Sequence, residues 1–302
     1  RFDEAESAFR RAIELNQTFA DPWNGLGNLL KNNLKRFDEA ESAYRCAIAL
    51  DEQSAYPWNG LGNLLQDHLS RFEEAESAYR RAIELDSSLA FHWQGLGDLL
   101  KNHLKRFDEA EGAYRRAIEL DETSANPWNG LGNLLKSHLK RFDEAESAYR
   151  HAIALDEGNV YSWASLARFQ VAGGKRDEAT ASYQTALERL AAGEGLSVRL
   201  QAHLWLGHND QAAQALDALA KTASEGDVNA FFRLRKQCWE CHSVGLGQPL
   251  AQMVEASSWG GFLLPFSLAL RCATSGKTPS GAAPEVLILA AEVLQELRTS
   301  AA

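Results

Sequence analysis

The feature that most constrains this chain is a segment that recurs every 35 residues. The string RFDEAESAFRRAIEL at Arg1–Leu15 returns almost unchanged at Arg36, Arg71, Arg106 and Arg141. A second string, PWNGLGNLL and its variants, lies between these copies and carries Trp23, Trp58, Trp93, Trp128 and Trp163. A fixed period of about 20–50 residues is typical of a solenoid, in which each repeat buries its apolar face against the next one.

Each period has the pattern of two helices. Helix A is predicted from about Pro22 to Leu34, because its tryptophan and leucines recur at helical spacing. The residue ahead of the proline, Asp21 in one copy and Asn126 in another, is predicted to cap this helix. Helix B is predicted from about Phe37 to Leu50, with acidic residues in its first turn, where they suit the helix dipole.

Six residues of each repeat carry a resemblance to a known family. A tryptophan is followed at fixed offsets by leucine, glycine, alanine, an aromatic residue and alanine. In one copy these residues are Trp128, Leu131, Gly132, Ala145, Tyr149 and Ala152. The pattern covers roughly residues 1–190 and resembles the tetratricopeptide repeat (TPR) family. The resemblance implies an all-α, right-handed α-solenoid of helix-turn-helix repeats, in which helix A lines a concave groove.

The copies depart from the family pattern in length. A TPR usually has about 34 residues, whereas these copies carry one more in the turn between helices A and B, around Lys136–Arg141. We expect the extra residue to lengthen the turn without changing helix pairing. Gly27 in helix A is expected to allow a close approach to the small residues Ala40 and Ala43 of helix B.

The decay of the repeat pattern divides the chain into three predicted regions. Residues 1–190 are the array, an orphan helix B followed by five helix pairs. Residues 191–224 are a degenerate helix pair with Gly207 at its turn, and residues 225–302 are a C-terminal helical cap. Because Arg1 stands directly at a helix B, we expect the chain to be part of a longer polypeptide.

Polar residues beside the apolar stripe of helix A are the candidate binding residues. By the resemblance they face a protein or peptide in the concave groove. An amide carries a donor and an acceptor and can therefore bind the backbone of an extended chain, while lysines would favour acidic side chains or a carboxyl terminus. Ordinary solvated helix positions are the alternative interpretation. The predicted partner-binding residues are Asn24, Asn28, Lys31, Asn59, Asn63, Gln94, Asp98, Lys101, Asn129, Asn133, Lys136 and Arg168.

A Cys-x-x-Cys-His motif at Cys238, Cys241 and His242 offers another kind of site. This spacing is typical of c-type haem attachment, and two thiols with a histidine could also hold zinc. The motif falls within a predicted helix, however, and neither a second axial haem ligand nor a fourth zinc ligand is evident. Our interpretation is that the cysteines are structural, so no cofactor and no metal site are predicted.

Two further motifs are weaker candidates. His68, His103 and His138 recur in the A–B turn, but equivalent positions of packed repeats lie about 8–10 Å apart, too far for a shared zinc ion. They are interpreted as surface turn histidines. The segment Ser275–Thr278 ends like a phosphate-binding loop, but Arg271 stands where that motif needs its first glycine. With no catalytic grouping evident, the chain is predicted not to be an enzyme.

Composition narrows the class of function. The chain has 41 acidic and 31 basic residues, a net charge of −10, which disfavours nucleic-acid binding although pentatricopeptide repeats share the 35-residue period. Four cysteines among 302 residues favour the cytoplasm, and no apolar run approaches the ~20 residues of a membrane span. We therefore predict a cytoplasmic, bacterial protein-interaction module. Alternatives are the sensor arm of a larger bacterial NTPase- or protease-containing signalling or defence protein, whose other domains would then be partners, and an RNA-binding repeat.

Overall fold

The computed structural model describes residues 1–191, 194–224 and 245–257. The secondary structure in these ranges is helical, and no strand occurs in them. The chain divides into two units, Arg1–Leu155 and Asp156–Ala302. The all-α class predicted from the repeat pattern is therefore confirmed.

The first unit contains a single helix followed by four helix pairs, in which each helix A packs on the helix B before it and the one after it. Helices α2, α4, α6 and α8 are the A helices and neighbour one another, and the remaining helices are the B helices. In chain order the helices are α1 (Phe2–Leu15), α2 (Ala20–Leu29), α3 (Phe37–Leu50), α4 (Ala55–Asp67), α5 (Phe72–Leu85), α6 (Ala90–Leu99), α7 (Phe107–Leu120), α8 (Ala125–Leu134) and α9 (Phe142–Leu155).

Helix α3 shows how the sequence specifies a helix B, and its bounds are those predicted. Its buried stripe, at i, i+3, i+4 and i+7, consists of Ala40, Ala43, Tyr44 and Ala47. Asp38 and Glu39 lie in the first turn, where the positive end of the helix dipole stabilises acidic side chains. After the helix ends, the side chain of Asp51 accepts a hydrogen bond from the backbone N–H of Gln53 at 3.0 Å. This Asx turn reverses the chain into the next helix A.

The A helices begin earlier than the sequence predicts. Helix α2 starts at Ala20 and α8 starts at Ala125, so Asp21 and Asn126 lie inside the first turn and are not caps. The proline that follows them, such as Pro22, is tolerated because first-turn N–H groups have no partner within the helix. The prediction of capping by Asp21 and Asn126 was therefore wrong.

The extra residue of the 35-residue period lies at the C-terminal end of helix A. Three A helices end in a π-helical turn, at Leu30–Leu34, Leu100–Leu104 and Leu135–Leu139. The next residue, Lys35 in the first case, has a φ of 56°, and the N–H of Arg36 then donates to the carbonyl of Leu30 at 3.0 Å. The expected pairing of A and B helices is unchanged, because a wider last turn absorbs the residue.

A tyrosine ring of helix B forms the centre of three junctions between repeats. Tyr44 is fully buried, and a Cβ added at Gly27 of its own repeat would lie 2.8 Å from the ring. A Cβ added at Gly60 of the next repeat would lie 2.5 Å from the same ring. The sequence predicted that Gly27 would approach Ala40 and Ala43. In the structure the closest neighbour of Gly27 is the ring of Tyr44 instead. The same arrangement surrounds Tyr79, with Gly62 and Gly95, and Tyr114, with Gly97 and Gly130.

Successive B helices are also joined by arginine–glutamate bridges. Arg71 lies 2.8 Å from Glu41 of the preceding helix B and 2.6 Å from Glu74 of its own, and Arg45 also bonds Glu41. Partial burial acts to raise the pKa of Glu41, but the hydrogen bonds from Arg45 and Arg71 outweigh it and hold the pKa below its ordinary value. Equivalent bridges are made by Arg36, Arg106 and Arg141.

The second unit contains helices of related design. They are α10 (Val160–Ala172), α11 (Arg176–Glu188), α12 (Leu196–Leu206), α13 (Asn209–Ser224) and α14 (Gly247–Ala256). The expected pair with Gly207 at its turn is present as α12 and α13, and Gly207 has a φ of 76°. Most of the region 225–302 lies outside the described residues. The three sequence-based regions remain a prediction.

Candidate functional site

One strip of each A helix in the first unit remains open to solvent. On α4 the residues that are not buried are those at positions 56, 58, 59, 63, 66 and 67, and all of them except Trp58 lie along one strip at helical spacing. Together these strips form the surface that we call the open row. It consists of Asp21, Asn24, Asn28, Lys31, Asn32, Tyr56, Asn59, Asn63, Gln66, Asp67, Phe91, Gln94, Asp98, Lys101, Asn102, Asn126, Asn129, Asn133, Lys136 and Ser137. Lys31, 9% exposed, is the most covered member.

The open row contains every predicted binding residue of the first unit, but Arg168 belongs to the second. There its guanidinium donates to the hydroxyl of Ser165 at 3.0 Å and to the side-chain oxygen of Gln201 at 3.4 Å. These bonds give Arg168 a local structural role.

The second polar member of each strip bonds a buried tyrosine. Tyr44 donates its hydroxyl proton to Asn28 at 2.8 Å, and Tyr79 donates to Asn63 at 2.7 Å. Burial raises the pKa of both tyrosines, so their hydroxyls remain protonated donors. Tyr114 bonds Asp98 at 2.6 Å and Tyr149 bonds Asn133 at 3.0 Å in the same way. These four residues are therefore part of the packing as well as of the surface.

The first amide of the strip makes different hydrogen bonds in α2 and α4 from those it makes in α8. The side-chain oxygens of Asn24 and Asn59 are buried and accept no hydrogen bond from the described residues. In α8 the equivalent Asn129 receives a bond from Asn133, whose amide nitrogen lies 2.9 Å from the Asn129 carbonyl and 3.4 Å from its side-chain oxygen. Asn24 and Asn59 thus offer two unused acceptors at equivalent positions of adjacent repeats.

The charges of the open row partly offset one another. Burial lowers the pKa of Lys31, and the carboxylate of Asp67 opposes that shift. Partial desolvation raises the pKa of Asp67, Lys31 opposes this, and the carboxylate of Asp98 adds to it. Lys101 lies 3.5 Å from Asp98 and 5.3 Å from the centre of the Tyr114 ring. Lys31 is thus under the influence of a carboxylate, and Lys101 lies close to a carboxylate and a ring.

The sequence analysis missed the aromatic members of the row. Tyr56 and Phe91 begin the strips of α4 and α6, and their ring centres are 6.1 Å apart. Each lies three residues before a predicted amide, Asn59 or Gln94, so extending the helical spacing by one step would have found them. Asp67 was missed for the same reason at the other end of α4.

His92, next to Phe91, is fully buried in the first turn of α6. Neither of its ring nitrogens has a hydrogen-bond partner among the described residues. Desolvation lowers its pKa to about 4, and the carboxylate of Asp86 opposes the shift. Three other A helices carry a proline here, at positions 22, 57 and 127. The imidazole is therefore held neutral in a site that suits an apolar residue.

The turn histidines stack on phenylalanines of the preceding helix B. The ring centres of His68 and Phe37 are 4.1 Å apart, those of His103 and Phe72 are 4.1 Å apart, and those of His138 and Phe107 are 4.0 Å apart. Their spacing therefore reflects contacts between repeats. No group of three or more metal-ligating side chains occurs in the described ranges. The Cys238–His242 motif and Ser275–Thr278 lie outside those ranges.

Comparison with known proteins identifies the class of fold as a helical-repeat solenoid. The structure resembles the APC/C hetero-tetramer Cut9–Hcn1, at 16% identity and a TM-score of 0.61, over 78% of this chain and 46% of that chain. It also resembles TTC0263, a thermophilic TPR protein of Thermus thermophilus, at 20% identity and a TM-score of 0.53, over 62% of this chain and 98% of that one. PilF of Pseudomonas aeruginosa matches at 20% identity and a TM-score of 0.51, over 78% and 99%. At these identities the likeness establishes the fold alone.

The family follows from the sequence match. A family model described as the tetratricopeptide repeat matches residues 1–55, 33–90, 59–127 and 96–160, which together span more than half of the 302 residues. No curated protein matches the chain. The chain belongs to the tetratricopeptide repeat family, and this supports a protein-interaction module in general terms. Among the described residues, none of the helices has the length and apolar character needed to span a membrane.

Proposed function

We propose that the first unit binds a partner protein by holding an extended segment of it along the open row. The observation that carries the proposal is the pair of unpaired acceptors, the side-chain oxygens of Asn24 and Asn59, which are covered in the free chain and reach a partner when each amide turns outward. A buried acceptor without a donor destabilises a protein by about 1–3 kcal/mol. The backbone N–H groups of an extended chain are donors of the required kind, and they recur along the chain as the asparagines recur along the repeats.

The remaining amides complete the recognition of a peptide backbone. Asn28 and Asn63 use their oxygens for Tyr44 and Tyr79, so their amide N–H groups remain to donate to carbonyls of the bound segment. Gln94 and Asn129 extend this chemistry to α6 and α8. The tyrosine bonds fix the side chains in place, which lowers the entropy lost on binding.

The lysines add a preference for acidic residues or a terminal carboxylate in the partner. Lys31, Lys101 and Lys136 are the basic members of the open row, and Asp67 and Asp98 limit the positive potential that they create. The preference for acidic groups is therefore modest, and the affinity for the partner should fall only moderately as the salt concentration rises. In this proposal the chain is a non-enzymatic scaffold that acts in the cytoplasm.

The experiment separates recognition from packing. Asn24→Ala with Asn59→Ala removes the two unused acceptors, and the matched control is Ser42→Ala with Ser77→Ala on the exposed surface of helices B. A partner is first captured with the wild-type chain and identified by mass spectrometry, and its affinity is then measured by isothermal titration calorimetry. We expect the asparagine pair to weaken binding about tenfold or more, with helicity by circular dichroism unchanged.

Asn63 and Asn133 are poor choices for this test, because removing either side chain would also take away an acceptor of a buried tyrosine hydroxyl. Unchanged affinity in the folded Asn24→Ala, Asn59→Ala variant would contradict the proposal.

A further inference from the structure

The open row carries an exposed aromatic pair in its two central repeats. Tyr56 is 55% exposed and Phe91 is 42% exposed, and their ring planes are inclined by only 28° at a centre-to-centre distance of 6.1 Å. In the flanking helices α2 and α8 the same position holds the polar residues Asp21 and Asn126. The apolar patch is therefore confined to α4 and α6.

The fold does not require this patch. Helices α2 and α8 form the same pairs with Asp21 or Asn126 at the position, so an aromatic ring is not needed to start a helix A or to pack it. The contact between Tyr56 and Phe91 also leaves about half of each side chain facing solvent. Apolar area in water is unfavourable, and a clustered patch of it marks a contact surface.

The position of the pair links it to the peptide site. Tyr56 lies three residues before Asn59 on the same strip of α4, a rise of about 4.5 Å along the helix. Neighbouring residues of an extended chain are about 3.3 Å apart. One residue of a bound segment can therefore rest its side chain on the pair while an adjacent residue donates its N–H to the side-chain oxygen of Asn59, once that amide has turned outward.

We propose that Tyr56 and Phe91 form a specificity subsite of the open row for an aromatic side chain of the bound segment. This inference rests on the proposed function. Aromatic rings prefer offset stacks with centres about 4.5–7 Å apart, and the existing pair has that spacing, so a third ring continues the stack on its open side. The amides recognise the extended backbone of the bound segment, and the ring pair recognises one aromatic side chain of that segment.

A second copy of the chain is a less suitable occupant. Two aromatic side chains that are about half exposed offer roughly 200 Å² in total, whereas a stable dimer buries about 800 Å² per partner. The neighbours of the pair on the strip are amides and charged residues rather than further apolar side chains. A single inserted side chain fits an area of this size.

The test uses peptides of random sequence displayed on phage, 12 residues long, selected on the full chain. The best peptide is labelled with fluorescein and its Kd is measured by fluorescence anisotropy. The decisive variant is Tyr56→Asn with Phe91→Asn, which installs the residue that α8 already carries at this position. Tyr161→Asn, an equally exposed tyrosine at the same repeat position of the second unit, is the matched control. The single substitutions Tyr56→Asn and Phe91→Asn replace the double variant if circular dichroism shows that it is unfolded.

We expect the selected peptides to share an aromatic residue, and the double variant to bind them about tenfold more weakly or worse. Replacing the shared aromatic residue of the peptide by alanine should cost the wild type a similar factor and the double variant little. The Tyr161→Asn control should bind like the wild type.

Three results would overturn the subsite. They are a shared sequence without an aromatic residue, unchanged affinity in the double variant, and a solution dimer that the double variant abolishes without any effect on peptide binding. If Asn24→Ala with Asn59→Ala still weakens binding in those cases, the proposed function stands without the subsite. If the selection yields no peptide whose binding the asparagine pair affects, the proposed function fails and the subsite fails with it.

Discussion

In both units a buried tyrosine of helix B lies at the centre of the helix packing, but its neighbours differ between the units. In the first unit the ring of Tyr79 lies against Gly62 and Gly95, where an added Cβ would come within 3.0 and 2.6 Å of it. In the second unit the equivalent Tyr183 clusters with Ala167 and Ala202, and it is just as completely buried. In the second unit the helices thus leave room for a Cβ beside the tyrosine, whereas in the first unit they do not. The glycines that recur beside the tyrosines of the first unit therefore have a cause in packing.

The tyrosine itself offers the largest test of this difference. Tyr79→Ala should lower the free energy of unfolding by about 3–5 kcal/mol, because it opens a cavity at a junction of two repeats and removes the bond to Asn63. Tyr56→Ala, on the open row, should cost less than about 1 kcal/mol. Urea unfolding followed by circular dichroism measures both. Equal losses would show that the ring does not join the repeats.

A smaller change tests the glycines directly. Gly95→Ala should destabilise the chain by up to about 3 kcal/mol, because the new Cβ would overlap the ring of Tyr79. The control is Gly112→Ala, a helical glycine of α7 with nothing within 4 Å of its added Cβ. That substitution should stabilise the helix by about 0.5–1 kcal/mol. Opposite signs in urea unfolding support the comparison, and a neutral Gly95→Ala would break it.

His92 makes one repeat of the first unit sensitive to acid. Its pKa of about 4 in the folded chain lies below the ordinary value of 6.5, so as pH falls below 6.5 the unfolded chain takes up a proton that the folded chain does not. Stability should therefore fall by about 2 kcal/mol between pH 7 and pH 5 from this group alone. His92→Pro, which restores the residue of three other repeats, should remove that loss and also raise stability at pH 7.

The pH series for wild type and His92→Pro can be compared by thermal unfolding at fixed ionic strength. Parallel curves for the two proteins would show that His92 is not the acid-sensitive group.

The arginine–glutamate bridges should give the smallest effect. Glu41→Gln weakens the bonds to Arg45 and Arg71, and because this glutamate is partly covered the loss should reach about 1 kcal/mol at low salt. The loss should shrink in 1 M salt, where the charges are screened. The control is Glu84→Gln, whose carboxylate bonds Arg81 of its own helix at 3.0 Å. A salt-independent loss would point to packing rather than charge.

The sequence predicted the helices well where one period dominates. The bounds of α3 were correct because its alanines and tyrosine follow a single stripe, flanked by acids at the start and an aspartate at the end. The start of α2 was wrong because a proline is compatible with any position of the first turn, so Pro22 does not fix the first residue. The π-helical turn at Leu30–Leu34 was not predicted, since spacing shows that a residue is extra but not which hydrogen bonds absorb it.

The sequence places the candidate residues on one face of each helix A, but it does not predict the hydrogen bonds that they make. Helical spacing places Asn24, Asn28 and Lys31 on one face of α2, where Asn28 is exposed and Lys31 is only 9% exposed. It does not show that the oxygen of Asn28 is taken by Tyr44 while that of Asn24 is unused, because the reach of the tyrosine hydroxyl depends on how two helices pack. The placement of Tyr56 beside Phe91 likewise arises only when adjacent A helices come together.

The rings of Tyr44, Tyr79 and Tyr114 are each shared between two repeats, since each lies close to a glycine of its own repeat and to a glycine of the next. The three boundaries at these tyrosines consequently have the same packing. A whole 35-residue block can be gained or lost by recombination without leaving any ring unmatched. Such events would lengthen or shorten the open row while the contacts at these boundaries stay as they are.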